Sequence, residues 1–456
     1  MPAGRLFGTD GIRGVANVAP LTPEFLVNLG KAVASSWAAG AQPPRFVVGR
    51  DTRISGPMLE AALAAGMSAS GAEVLLAGVL PTPAIAHLTQ VHKATAGAVI
   101  SASHNPFADN GVKFFAADGF KLSQVQEEKI EHLLQAASTK QVTGADLGRI
   151  RRIEDAAEVY TRFLIRTLPA GFRLRGIRVA IDCAHGAAYR VGPAVLEELG
   201  ATVTTIGGAP DGVNINLEQG ALHPQRLQSV VRDSGATLGI ALDGDADRVL
   251  LVDGSGSVLD GDEILAILVD ARLRSGNPTA TVVGTVMSNM GLEIALKNRG
   301  VTLIRASVGD RYVVEEMRRH AATLGAEPSG HVVLLDHHTT GDGLLAALAV
   351  CRIILESGRD LTQLRGAVSK LAQVLVNVQL DRPTDLQRLA RVQKTIAQVE
   401  RRLDGRGRVL VRPSGTEPVV RVMVEGEHED RVRAYAAEIA AAVAEACASE
   451  SGKEQA

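Results

Sequence analysis

Three stretches of this chain repeat one local arrangement. A helical pattern is closed by a glycine and followed at once by a short apolar run: GAEVLLAG from Gly71, GATVTTIG from Gly200 and GVTLIRAS from Gly300. Glycine accepts the left-handed conformation that ends a helix, and the branched aliphatic residues after it suit a buried strand. Short apolar runs ending in Gly, Asp or Ser alternate with longer helical patterns along most of the chain, the signature of α/β units. The spacing of the three junctions suits three related α/β domains rather than a solenoid. Within the first, a helix from Pro23 is capped by Thr22 and aligns Phe25, Leu26, Leu29 and Val33 on one face. Strands are expected at Arg45–Val48, Glu73–Leu76 and Gly97–Ile100. From about Leu371 the order changes to strand-like VLVNVQL, a charged helical stretch, RVLV, VVRVMVEG and an Ala-rich helix, which reads as a smaller α+β domain. The expected domains are therefore 1–155, 156–255, 256–368 and 369–456.

Composition narrows the function classes. The 456 residues include 48 Lys and Arg against 50 Asp and Glu, a net charge of −2, which leaves no electrostatic footprint for nucleic acid or an anionic membrane. With 4 Tyr, 9 Phe and 1 Trp, base-stacking platforms are not expected. Cys183, Cys351 and Cys447 are widely spaced and odd in number, so neither a disulfide framework nor a zinc pattern arises. The N-terminus has no signal-peptide pattern, and the apolar AAEIAAAVAEACA is broken by Glu438 and Glu445. A soluble protein of the reducing cytoplasm is expected.

Chemistry concentrates in a few loops. Ser101-Ala102-Ser103-His104-Asn105-Pro106 follows the apolar run ending at Ile100, so a turn set by Asn-Pro holds a serine outward. His104 and Lys113 are within reach of proton transfer there. A Ser-His hydrolase lacks its G-x-S-x-G elbow, and a polar turn with capping serines stands beside the nucleophile reading. Asp243-Gly244-Asp245-Ala246-Asp247-Arg248 follows the run Leu238–Leu242. Three carboxylates at alternate positions can converge on a hard divalent cation, and crowding without one is costly. An EF-hand is excluded, since its sixth position is Arg248 and its twelfth Gly254. Arg248 beside the acids suits an anion meeting the metal.

Arg412-Pro413-Ser414-Gly415-Thr416-Glu417-Pro418, with Arg421 beyond, makes an anion nest suited to a phosphate dianion, or a hairpin with solvated arginines. In Ala326-Glu327-Pro328-Ser329-Gly330-His331, Glu327 and Ser329 on an extended segment would share a face and bind sugar hydroxyls, with a capped turn as the alternative. Gly8–Gly14 is Gly-rich and bears Arg13 but is no dinucleotide fingerprint. A hydroxyl, a metal loop, an anion nest and a hydroxyl-reading loop together suit phosphoryl transfer.

In family order, TDGIRG, SASHNP, NGVKFF, DCAHGAAY, PDGVNIN, DGDADR, VGDRYV, EPSGH, TTGDG and RPSGTEP resemble the α-D-phosphohexomutase superfamily over nearly the whole chain. TDGIRG and DCAHGAAY resemble most the branch of bacterial phosphoglucosamine mutases. The resemblance implies an α/β fold of three related domains with mixed sheets, plus the smaller C-terminal α+β domain, around a central cleft. It implies phospho-Ser103 as phosphoryl carrier, with one Mg²⁺ per chain held by Ser103, Asp243, Asp245 and Asp247. Arg13 and Arg248 would steady the transferring group, and His104, Lys113 and His331 are the acid/base candidates. Asp310, Arg311, Glu327, Ser329, Arg412, Ser414, Gly415, Thr416 and Arg421 would bind the phosphosugar. The implied reaction interconverts glucosamine 6-phosphate and glucosamine 1-phosphate through a 1,6-bisphosphate, feeding UDP-N-acetylglucosamine and cell-wall precursors. A homodimer is left open. This branch usually has GEQSGH where the chain has AEPSGH, so Ala326 and Pro328 stiffen that loop. The same-superfamily alternative is a phosphoglucomutase/phosphomannomutase. A metal-assisted phosphatase and a silent sugar-phosphate sensor are the rivals of other classes.

Overall fold

Every residue of Ala96–Ile100 and of Leu238–Leu242 is buried, and so is every residue of Leu324–Ala326. Strands this apolar form only inside a sheet covered on both faces, and each lies in a different sheet. The computed structural model describes residues 6–8, 10–37, 42–136, 139–277, 279–380, 386, 389–413 and 419–453. Two compact units divide the chain. One takes residues up to Met287 together with Val301–Ala367, and the other takes Ser288–Gly300 together with the chain from Val368.

The first unit holds three mixed sheets. In the first, Arg45–Arg50 runs parallel to Glu73–Val79 and Ala96–Ile100, with Ile150–Arg152 parallel beyond Glu73–Val79. Asp109–Ala116 then pairs antiparallel with Ala96–Ile100, and Ile12–Val15 closes that edge. In the second, Arg178–Asp182 is parallel to Thr202–Ile206 and Leu238–Leu242, and Val249–Asp253 returns antiparallel. In the third, Thr281–Thr285 is parallel to Thr302–Ala306 and Leu324–Ala326, and Val332–Leu334 returns antiparallel.

The repeat seen in sequence thus has a three-dimensional counterpart. The strands after Gly71, Gly200 and Gly300 occupy the same place in their sheets, and each glycine is left-handed, with φ of +87°, +91° and +72°. In all three sheets a buried parallel strand turns back through a short loop into an antiparallel partner. Those loops contain Ser103, Asp243–Asp247 and Glu327.

The second unit is a three-stranded antiparallel sheet, Ala372–Gln379, Val419–Gly426 and Gly407–Pro413, packed on Ala390–Leu403 and Glu429–Lys453. The helix Met290–Lys297 belongs to it. Asn289 caps that helix and exchanges hydrogen bonds at 3.0 Å with the backbone of Leu371. Among the described residues no helix is long and apolar enough to cross a membrane.

Thr22 caps Pro23–Ser36 as expected, accepting from the Phe25 amide at 3.3 Å. Leu26, Leu29 and Val33 are buried and Phe25 is half-buried, flanking the core rather than entering it. This helix meets Gly56–Ala69 through reciprocal glycines. A Cβ on Gly66 would fall on the Val27 carbonyl, and one on Gly30 on the Leu63 carbonyl. Such contact leaves no slack for a methyl group. Gly66→Ala is expected to lower stability by about 1–3 kcal/mol, read as the urea midpoint of the first unit. An unchanged midpoint would show that the helices can slide apart freely.

Candidate active site

The strand Ala96–Ile100 ends at Ser101 and Ala102, and the chain reaches Ser103 in the left-handed region, φ +50°. Ser103 is 1% exposed, and its Oγ donates to Asp243 Oδ2 at 2.6 Å. His104 Nδ1 lies 3.2 Å from the same oxygen. Burial, reinforced by Arg248 and Arg13, holds the His104 imidazole down at about 4, so it is neutral at pH 7.

The second hairpin loop brings Asp243, Asp245 and Asp247 together with carboxylate oxygens within 4.8 Å of one another, all buried. Asp245 Oδ2 is held at 2.6 Å by Lys113 Nζ and at 2.6 Å by Thr82 Oγ1. Asp245 Oδ1 and Asp247 Oδ1 are buried without a hydrogen-bond partner. Two orphaned carboxylate oxygens facing a third carboxylate and a hydroxyl form a hard, all-oxygen donor set, which fits Mg²⁺. Burial first, then Asp247 and Asp245, pushes Asp243 well above the usual carboxylate range. Burial also pushes Asp247 upward, but Lys113 and His331 outweigh it and hold that group low.

Lys113 lies 3.5 Å from Asp247 and 3.8 Å from Asp10 besides its Asp245 contact. Burial works against its charge, yet Asp10, Asp245 and Asp247 prevail and keep it protonated. The ammonium thus lies paired among three carboxylates. His331 is 1% exposed, with Nδ1 3.8 Å from Asp247 Oδ2, while Nε2 accepts the Gly341 amide at 3.2 Å. Its pKa is raised because Asp247 overcomes the burial that would lower it. Arg248 donates its amide to Asp243 Oδ1 at 3.2 Å, and its guanidinium Nε is 3.9 Å from Asp247. Arg13 pairs with Asp10 and reaches Asn105 Oδ1 at 3.5 Å.

The third hairpin loop departs from the expected extended segment. Residues 327–330 form a tight turn, the Gly330 amide donating to the Glu327 carbonyl at 3.0 Å. Alternation of faces therefore does not apply: Glu327 is buried with Oε1 accepting the Gly309 amide at 2.9 Å, while Ser329 is exposed. Pro328 occupies the second turn position, where its fixed φ is favoured, so this departure from the usual loop suits the local backbone. The Val249 amide donates to the Gly330 carbonyl at 2.9 Å and ties this loop to the metal loop.

Asp310 pairs with Lys121 and, with Asp247 and His331, forms a second potential ligand cluster. Arg311 grips Glu127 with both terminal nitrogens, one at 3.0 Å, so much of its donor capacity is already engaged within the protein. Arg412 and Arg421 are directly opposite on neighbouring strands of the second unit. Burial, then Arg421, lowers the pKa of Arg412, whose Nε is buried without a partner, as suits an anion site. Ser414, Gly415 and Thr416 lie outside the described residues.

Several participants were not singled out from sequence. Lys121 joins Asp10 to Asp310. Asp51 accepts from Ser101 Oγ at 2.6 Å and pairs with the wholly buried Arg53 at 2.8 Å. The charged Arg50-Asp51-Thr52-Arg53 immediately after a buried strand was the available signal.

Four family matches cover the chain in sequence. They are described as phosphoglucomutase/phosphomannomutase α/β/α domain I (residues 4–141), domain II (158–256), domain III (260–371) and C-terminal domain (375–442). The chain is 50% identical over 442 residues to a phosphoglucosamine mutase of Geobacter sp. (strain M21), covering 96% of this chain and 97% of that one. It is 51% identical over 445 residues to a phosphoglucosamine mutase of Myxococcus xanthus, covering 97% of each. Among solved structures, a phosphoglucomutase/phosphomannomutase family protein of Burkholderia thailandensis has a similar fold, with TM-score 0.80, 24% identity and 97% of each chain covered.

If the acidic loop holds a cation, millimolar Mg²⁺ should raise the unfolding midpoint relative to EDTA. Saturation at a hundred times the dissociation constant corresponds to about 2.7 kcal/mol. Asp243→Asn keeps an acceptor for the Arg248 amide and should lose most of that shift in scanning calorimetry. An equal shift in both proteins would exclude this loop as the binding site.

Proposed function

From the premise that the chain belongs to the phosphoglucomutase/phosphomannomutase family, we propose that it is a phosphoglucosamine mutase, an intramolecular phosphotransferase interconverting glucosamine 6-phosphate and glucosamine 1-phosphate. One observation supports the chemistry above the rest: Ser103 Oγ lies 2.6 Å from a carboxylate of a loop where two further carboxylate oxygens have no partner. The sugar is supported by relatives at about half identity that bear that name.

In this reading Ser103 Oγ carries the phosphoryl group. Asp243 Oδ2 takes the hydroxyl proton when Oγ is free, and neutral His104 stands at 3.2 Å as a second acceptor. Mg²⁺ held by Asp243, Asp245, Asp247 and an oxygen on Ser103 would neutralise charge on the phosphoryl oxygens. Arg13 and Arg248 steady those oxygens, and Lys113, paired with Asp245 at 2.6 Å, is a further acid/base candidate beside them. His331, whose pKa Asp247 raises against the burial that would lower it, is an acid/base candidate on the sugar side. Glu327 and Ser329, with Asp310, meet the sugar, and Arg412, Ser414, Gly415, Thr416 and Arg421 hold the phosphate that does not react. Phospho-Ser103 gives its phosphoryl group to glucosamine 6-phosphate. The resulting 1,6-bisphosphate turns over and returns its other phosphate to Ser103. One anion nest and one metal loop then serve both half-reactions. The product is a cytoplasmic precursor of UDP-N-acetylglucosamine and the cell wall.

Intact-protein mass before and after phosphatase treatment should show one added phosphate, mapped to Ser103. Ser103→Ala should lose nearly all isomerisation in the presence of Mg²⁺ and a bisphosphate primer, whereas a phosphatase using the aspartate loop would keep hydrolysing. The ranking of kcat/KM is expected to place glucosamine phosphate above glucose and mannose phosphates. A clear preference for a neutral sugar would assign the chain to the phosphoglucomutase/phosphomannomutase activity instead.

A further inference from the structure

A non-glycine residue at positive φ costs about 1–2 kcal/mol relative to the right-handed region, so the φ of +50° at Ser103 must be imposed by its surroundings. Its amide donates to Ser101 Oγ at 2.9 Å. Its carbonyl accepts from two sides: Arg53 Nη2 at 3.0 Å and Asn216 Nδ2 at 2.9 Å. The same two nitrogens also donate to the carbonyl of Asn105, at 2.8 Å and 3.1 Å. Arg53 comes from the loop after Arg45–Arg50 in the first sheet, and Asn216 from the long connection after Thr202–Ile206 in the second. Donors from two sheets thus grip one pair of carbonyls.

Both grips are themselves rigid. Arg53 is wholly buried, and its remaining N–H groups go to Asp51 Oδ2 at 2.8 Å and to the carbonyls of Pro106 and Asp109. All five donors of the guanidinium fork therefore have acceptors. Asn216 is left-handed at φ +61°, and its amide donates to the Ala184 carbonyl at 2.8 Å. A Cβ on Gly244 would meet the Ser103 carbonyl and the Asn216 amide group, so the gripped carbonyl lies directly on the backbone of the aspartate loop.

We propose that Arg53 and Asn216 are positioning residues for phosphoryl transfer, a two-sided carbonyl clamp that holds Ser103 left-handed so that its Oγ meets Asp243. Neither side chain touches the reacting atoms. The inference rests on Ser103 being the phosphoryl carrier. With the clamp loosened, Ser103 relaxes toward an ordinary backbone conformation and Oγ turns away from the aspartates, while the sugar-binding groups are untouched.

The sharpest variant is Asn216→Gly, because glycine adopts φ +61° freely and only the donor is lost. Asn216→Asp, which turns a carboxylate toward two carbonyls, and Arg53→Lys, which keeps the charge but not the fork, test the same grip. Two quantities are measured on the full-length enzyme with Mg²⁺: steady-state kcat and KM, and the quenched-flow rate at which a saturating sugar bisphosphate phosphorylates the enzyme, followed by intact mass. Asn216→Gly is expected to lower both kcat and the phosphorylation rate on the order of tenfold to a hundredfold, with KM within about twofold and an unchanged unfolding midpoint. Wild-type rates in Asn216→Gly, or a kcat loss matched by a raised KM and a lowered midpoint, would overturn the clamp while leaving the carrier intact. Wild-type enzyme that never acquires phosphate on Ser103 would overturn the carrier reading and the clamp together.

Discussion

The ammonium of Lys113 is the charge on which the site's assembly depends. It lies among Asp245, Asp247 and Asp10, and Asp10 is shared with Lys121, which in turn pairs with Asp310. Charges of alternating sign thus run from the second-sheet loop, through a strand of the first sheet, to the start of the Asp310–Arg319 helix after the third. Burying these carboxylates singly would cost several kcal/mol each, and removing one partner of such a pair typically costs 3–5 kcal/mol. The ladder therefore ties loops of the three sheets together, and separating the first two would leave Lys113, Asp245 and Asp247 buried with fewer partners.

That ladder also shapes what the site can do. Lys113 and Thr82 occupy one oxygen of Asp245, leaving the other without a hydrogen-bond partner. Asp247 is held ionised by Lys113 and His331 despite its burial. Negative charge is thus fixed where a cation is wanted, while Arg13 and Arg248 provide positive charge nearby. The three loops involved are one structural element used three times, the reversal from a buried parallel strand into an antiparallel one. Each use presents different chemistry: a hydroxyl, a carboxylate triad and the Glu327 turn.

Local signals were legible where the physics is local. Fully apolar runs, a Thr-Pro helix start and left-handed glycines after helices each act within a few residues, and the corresponding elements lie where sequence puts them. The Asp243–Asp247 loop was also readable, since three carboxylates in five residues admit few stable explanations. The extended, same-face geometry expected of Glu327–Ser329 fails because a hydrogen bond from Gly330 closes a turn that the i, i+2 spacing does not reveal. Chain order does not reveal the partner of Arg311: Glu127, distant in sequence, accepts from both terminal nitrogens. Arg53 passed unnoticed because its five acceptors are an aspartate side chain and four backbone carbonyls, none with a sequence signature.

Sequence by itself determined which residues bear chemistry and at which strand ends they sit, because burial pattern, turn residues and acidic spacing are properties of short segments. Tertiary structure alone decided which of those groups remain available. Lys113, His331 and Arg311 have the same composition in any fold, but their protons and donors are bound or free according to partners more than a hundred residues away for Lys113 and Arg311, and some eighty for His331. The reason is that pairing and desolvation depend on distance in space, which chain order does not encode.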